Sequence, residues 1–167
     1  GAFTNRGTVK PGNSVGSLNV AGSYTQTASG ILQVEIASAT SYDKLMITGL
    51  PGTAGLSGVL VPKLLNGYRP QAGQVFAGVV SATGGISGAF SARSNFTPTL
   101  VGQPLYAANR VDLLVQRDYT NTFLAPLTRN QYAVGAMLNG LANTASGDLN
   151  TVLNTLDYLP DASSVRN

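Results

Sequence analysis

Turn-forming residues recur at intervals of roughly 8–12 residues through the first three quarters of this chain, which limits regular elements there to short strands. The turns are Pro11-Gly12-Asn13, Ala21-Gly22-Ser23, Ser29-Gly30, Gly49 to Gly58, Asn66-Gly67, Pro70 to Gly73, Gly84-Gly85 and Pro104. Between them apolar residues alternate with polar ones. Leu18 and Val20 flank Asn19; Leu32, Val34 and Ile36 flank Gln33 and Glu35; Val111, Leu113 and Val115 follow the same rule. Period two is the mark of a strand buried on one face. Lys44 to Ile47, Gly58 to Val61 and Gln74 to Val80 are more continuously apolar, as strands covered on both faces are. Asn66-Gly67 and Gly84-Gly85 predict hairpins, because both supply cheap positive φ. The pattern fits a sandwich, a barrel or a β-solenoid.

Near residue 126 the period changes. Thr128-Arg129-Asn130-Gln131 fits a capping box, with the Thr128 hydroxyl on the Gln131 amide and the Gln131 side chain reaching back. Val134, Met137, Leu138, Leu141 and Ala142 then fall on one helical face. Gly135 and Gly140 each cost about 1 kcal/mol there, so this helix is weak in isolation. After a break at Thr144 to Gly147, Leu149, Val152, Leu153 and Leu156 repeat the spacing, with Ser146 or Asp148 as cap and Pro160 as terminator. The expected organisation is a β region over 1–126 and a helical tail over 127–167.

Composition removes whole chemistries. The chain has no Cys and no His, so it offers no thiolate, no imidazole ligand and no Ser-His-Asp triad. Only 10% of the 167 residues are charged, while 43% are hydrophobic, enough apolar material to fold rather than stay disordered. The net charge of +3 comes from ten scattered bases, whereas nucleic acid requires clustered ones. No apolar run is long enough for a membrane-spanning helix. Gly1 to Lys10 does not read as a secretory signal, and the chain is expected to be a mature or excised segment; the absence of Cys suits an oxidising compartment.

The reactive motifs read as structure. Ser41-Tyr42-Asp43-Lys44 matches S-x-x-K, but that chemistry needs the serine at a helix start, and here Lys44 opens a strand. The acids Glu35, Asp43, Asp112, Asp118, Asp148, Asp157 and Asp161 form no suggestive pair, and Glu35 and Asp112 take the polar positions of alternating strands, as on a solvated face. No calcium loop is present, and Gly52, Gly55 and Gly58 lack the lysine of a phosphate cradle. Asn95-Phe96-Thr97 is a glycosylation triplet by letter. Tyr24, Tyr68, Phe76, Phe90 and Tyr106 are spread along the chain and read as packing rather than as a binding strip. No catalytic, cofactor-binding or metal-binding residue is assigned.

The order of the motifs carries a resemblance. Pro11 to Tyr24, reading P-G-N-S-V-G-S-L-N-V-A-G-S-Y, resembles a signature near the end of pertactin-like passengers of type V secretion autotransporters. Gln33 to Ile36, Asp43 to Gly49, Leu56 to Val61, Gly67 to Gly73, Gly85 to Phe90 and Asn109 to Leu113 follow in the family's order. Thr128 to Gln131, with Val134 and Leu138, resembles the junction to the translocator. Adjacent Asn-Asn, at which some members cleave themselves, is absent.

The resemblance implies a right-handed parallel β-helix with a hairpin-rich C-terminal cap, followed by a short α-helical tail. It implies a non-enzymatic autochaperone and junction segment that nucleates passenger folding during export. Its partners are then the upstream passenger β-helix and the downstream outer-membrane β-barrel of the same polypeptide, at the surface of a Gram-negative bacterium. Residues 128–158 are expected to line the barrel pore; without the barrel, the tail packs on the β part, self-associates weakly, or frays. The rival readings are a surface adhesin or ligand-binding β-solenoid, and a carbohydrate-active β-helix enzyme with two carboxylates facing one cleft.

Overall fold

A computed structural model describes residues 1–91, 93–142 and 144–166. The fold is mainly β, with short strands followed by three short helices. The strands are β1 (Ala2–Asn5), β2 (Thr8–Val9), β3 (Ser17–Ala21), β4 (Ser23–Gln26), β5 (Ile31–Ile36), β6 (Lys44–Thr48), β7 (Ala54–Leu56), β8 (Val59–Leu64), β9 (Val75–Ala82), β10 (Ile86–Gly88), β11 (Ser94–Asn95), β12 (Leu100–Ala107) and β13 (Arg110–Arg117). They form a four-stranded sheet in the order β1-β4-β7-β10, a three-stranded sheet β2-β5-β8, and a six-stranded sheet β11-β12-β13-β9-β6-β3.

The first two sheets are parallel throughout. The third is mixed: β3, β6 and β9 pair in parallel, whereas β9, β13, β12 and β11 pair antiparallel. The expected single right-handed β-helix is therefore not what forms. The parallel order ends at β9, because the next strand on that edge, β13, arrives through a hairpin and runs the other way.

The hairpins expected at Asn66-Gly67 and Gly84-Gly85 are also absent. Asn66 and Gly67 do take positive φ, 53° and 69°. Yet this turn joins β8 to β9, and the second turn joins β9 to β10, strands of different sheets in both cases. The long hairpin is instead β12–β13, with Ala107 opposite Arg110. Pro62 is accommodated in β8 because that strand is an edge, where a missing N–H costs no ladder bond.

The alternating residues do what their period requires. Leu32, Val34 and Ile36 of β5, Leu45 and Ile47 of β6, Phe76 and Val80 of β9, and Val111, Leu113 and Val115 of β13 converge in one core between the sheets. Phe76 is fully buried in it, edge-on to Tyr42 at 5.2 Å and tilted against Phe96 at 6.2 Å.

After a 3-10 turn at Thr122–Leu124 come α1 (Arg129–Ala142), α2 (Gly147–Leu156) and α3 (Ala162–Arg166). The capping box forms as read: Gln131 N donates to Thr128 Oγ1 at 3.2 Å, and Thr128 N to Gln131 Oε1 at 2.9 Å. Ser146 occupies the N-cap position of α2 but makes no side-chain capping bond. The helices pack back against the β part, and none is long and apolar enough to cross a membrane among the described residues. Their docked faces differ from those expected. Gly135 and Ala142 are buried in α1, with Leu138 and Asn139 beside them, while Val134, Met137 and Leu141 stay exposed. In α2 the inward side chains are Asn150, Leu153 and Asn154, continuing to Asp157, while Leu149 and Val152 face water. Asn143, which the sequence places on the polar side of the tail, lies outside the described residues.

Candidate functional site

One end of the molecule presents three strand edges. β1, β2 and β3 are the outermost strands of the four-, three- and six-stranded sheets, and each pairs on its inner side alone. Their side chains continue the columns beneath them. Phe3 lies over Tyr24 in register, rings 5.7 Å apart and 11° from parallel. Val9 lies over Leu32 and then Leu60, and Leu18 over Leu45 and then Val80. Phe3 is 40% exposed, and Val9 and Leu18 are half-buried. The first acid of the sequence is Glu35, so the bases of this end, exposed Arg6 and Lys10, meet no acid from its own three strands.

Below the edge lies a buried polar ladder. Asn5 Nδ2 donates to the Tyr24 hydroxyl oxygen and to Gln26 Oε1, both at 3.2 Å, and to the Ile31 carbonyl at 3.0 Å. The Tyr24 hydroxyl donates to Gln26 Oε1 at 2.9 Å. Gln26 Nε2 reaches the carbonyls of Gly30, Ser57 and Val59. Burial pushes the Tyr24 hydroxyl above its ordinary pKa against the opposing effect of Asn5, so it stays a neutral donor. A satisfied buried network of this kind fixes side chains in one arrangement, here holding β1 in register on β4.

The far end is built differently. Ser91 N and Oγ both donate to the Gly58 carbonyl, at 2.6 and 2.8 Å, and Ser94 Oγ donates to that of Leu60. These contacts occupy one carbonyl just before β8 and one within it. One end is thus open for parallel pairing, and the other is partly covered.

The carboxylates are dispersed, and most are engaged. Glu35 is buried against Lys63 Nζ at 3.0 Å, and Asp112 accepts from Arg110 Nε at 2.9 Å and from Gly78 N at 2.6 Å. Neither is left free on the solvated face the alternation suggested, because a base covers each: Lys63 on the neighbouring strand β8 for Glu35, and Arg110, two residues earlier on β13, for Asp112. Asp43 is fully buried and accepts from Gly16 N at 2.7 Å and Glu35 N at 2.9 Å. Its burial outweighs those two bonds and raises its pKa above the ordinary carboxylate value. Ser41 lies in a loop and Lys44 in β6, so the S-x-x-K letters build no helix-borne pair. Asp118 lies 3.5 Å from Arg93, and Asp148 is exposed in the first turn of α2. Asp161, held down to about 2 by hydrogen bonds from Ser163 and Ser164, opens α3. Among the described residues no three His, Cys, Asp or Glu side chains come together as a metal site. Asn95 is tied to the Thr97 carbonyl and to Asn121.

The aromatic residues serve packing. Tyr24 and Phe76 are in the core, Tyr68 shares hydrogen bonds with Gln74, and Phe90 lies 6.4 Å from Tyr106 while donating its N–H to the Tyr106 hydroxyl. A cleft of about 330 Å³ between Leu124, Val134, Leu138 and Val165 holds no acid–base pair.

Sequence reasoning missed two arrangements, the Asn5–Tyr24–Gln26 ladder and an ion pair between Arg117 and Asp157. The second left a signal: Arg117 and Tyr119 continue the inward positions of Val111, Leu113 and Val115, which puts a guanidinium where the period requires burial. The chain matches no model of a known protein family and no curated protein.

Proposed function

We propose that this chain is a non-enzymatic folding and junction segment of a secreted, surface-displayed bacterial protein of the autotransporter type. Its β part would template the folding of a β-rich passenger, and its helices would lead toward an outer-membrane barrel. The observation that carries this reading is the open end face: three parallel strand edges, apolar side chains in register, and a buried ladder that fixes the first edge. Unpaired edges recruit further strands, and a preformed edge spares an incoming strand the cost of nucleating a sheet. Folding of this kind supplies a driving force for export where no ATP is at hand. The ordered motifs from Pro11 to Gln131 support the same assignment.

The test is refolding and surface display of a longer passenger, with and without residues 1–126. The reading requires slower or lower-yield refolding and weaker display when the segment is deleted. Equal yield, rate and display with the segment missing would refute it.

A further inference from the structure

The helices are held to the sheets by a buried polar network as well as by part of their apolar stripes. Arg117 Nε donates to Asp157 Oδ2 at 2.7 Å, and these side chains are 4% and 1% exposed. Arg117 Nη2 also donates to Asn154 Oδ1 at 2.6 Å and Asn150 Oδ1 at 3.2 Å, and Nη1 reaches the Ala142 carbonyl at 3.5 Å. Asp157 Oδ1 accepts from the hydroxyls of Tyr119 at 3.1 Å and Thr99 at 3.2 Å. At the flanks Asn139 accepts from Tyr119 N at 2.8 Å, and the Tyr158 hydroxyl donates to the Pro70 carbonyl. The apolar support is a cluster of its own: Tyr119, Ala142 and Leu153 are buried, Leu138, Ala145 and Leu156 pack against them, and of the described helical region only Tyr158 packs on the main core.

We propose that α1 and α2 form a releasable joint, undocking from β13 as one unit when the Arg117–Asp157 pair opens, while the three sheets stay folded. A buried ion pair is an all-or-none contact: separating the partners strands a charge in an apolar site unless water enters with the movement. Arg117 bonds α2 through Asn150, Asn154 and Asp157 and the end of α1 through Ala142, so opening the pair removes the buried tie of both helices to β13 and leaves the flanking bonds of Asn139 and Tyr158 to be broken. The main apolar core of the sheets is a cluster distinct from the one under the helices, so its packing does not run through the pair. Units with little buried apolar contact open below the global unfolding free energy. Two glycines in α1 make the released helix prone to melt. The joint then turns the connection between the sheets and residues 129–166 from fixed to flexible without unfolding the sheets.

Hydrogen exchange of the 167-residue chain, read segment by segment in increasing sub-denaturing urea, tests this. The amides of α1 and α2 should converge on one shared opening at lower urea than those of β5 and β9. Asp157→Asn should speed α1 and α2 exchange by roughly 100-fold, the effect of stranding a buried charge, and leave β5 and β9 unchanged. Loss of protection in sheets and helices together overturns the joint, as does unaltered helix exchange in Asp157→Asn. Should that variant fail to fold, the urea series on the unmodified chain decides alone: one common opening for helices and β5 refutes the proposal, and two openings support it.

Discussion

Gly135 sits where α1 crosses the backbone of Tyr119, and a Cβ there would lie 2.5 Å from the Tyr119 carbonyl oxygen. Gly140, five residues on in the same helix, has open space around its Cα. Helix propensity favours Ala over Gly at both by up to about 1 kcal/mol, so the two positions separate propensity from contact. Gly140→Ala should raise the stability of α1, read as slower amide exchange over 129–142. Gly135→Ala should accelerate it, because backbone must move against backbone; equal stabilisation by both would show that the close approach does not matter. Asp43 permits a prediction of sign. Its carboxyl is raised in the folded protein, so the fold binds the proton more tightly than the unfolded chain does. That contribution to stability is present at acid pH and is lost as pH rises from about 4 through the higher folded value. Denaturation midpoints measured across that range should fall less steeply with pH in Asp43→Asn, and an unchanged slope would show that another group carries it. Little of this is legible in the letters. Asp43 precedes a strand like any turn residue, and its burial depends on Gly16 arriving from another sheet turn, 27 residues earlier.

The elements themselves were largely legible. The alternation at 31–36 became β5, and that at 111–115 became β13. The capping letters marked the start of α1 within a residue, because a capping box is a local exchange of two hydrogen bonds that needs no tertiary partner. Thr128→Ala should therefore cost about 1 kcal/mol, seen as faster exchange in the first turns of α1. The orientation of the helices was not legible. Apolar spacing pointed to Val134, Met137, Leu138, Leu141 and Ala142; of these only Leu138 and Ala142 dock, beside Gly135 and Asn139, where small residues permit close approach and Asn139 bonds the backbone of Tyr119. Hydrophobic periodicity cannot register a docking surface built around a buried arginine. Replacing the exposed Val134 or Met137 with Gln should change stability by no more than about 0.5 kcal/mol, as at ordinary surface positions. Leu153→Ala, at the buried centre of the helix cluster, should cost about 2–4 kcal/mol of helix docking. Chemical denaturation followed by helical circular dichroism ranks the three, and a larger loss at Val134 or Met137 would return the apolar stripe to the interface.

At the scale of the molecule, the distribution of strands among sheets lies beyond any local pattern. Each period-two run declares a buried face without naming its neighbour, so β8 and β9, joined by an Asn-Gly turn, could be read as a hairpin although they pair with β5 and β6 instead. What unites the sheets is the core they share: Tyr24 from the four-stranded sheet, Leu32 and Leu60 from the three-stranded one, and Leu45, Phe76 and Leu113 from the mixed one pack in a single cluster. A core common to all three predicts that they unfold together. Phe76→Ala should remove about 3–5 kcal/mol, a large share of the roughly 5–15 kcal/mol available to a domain of this size. Because the three sheets share one core cluster, exchange in β4, β5 and β9 should quicken by the same factor. Loosening confined to β9 and its neighbours β6 and β13 would mean that the mixed sheet is a separate cooperative unit. The open edges of β1 and β2 would then stand on a foundation independent of β3, and an incoming chain would meet two surfaces rather than one.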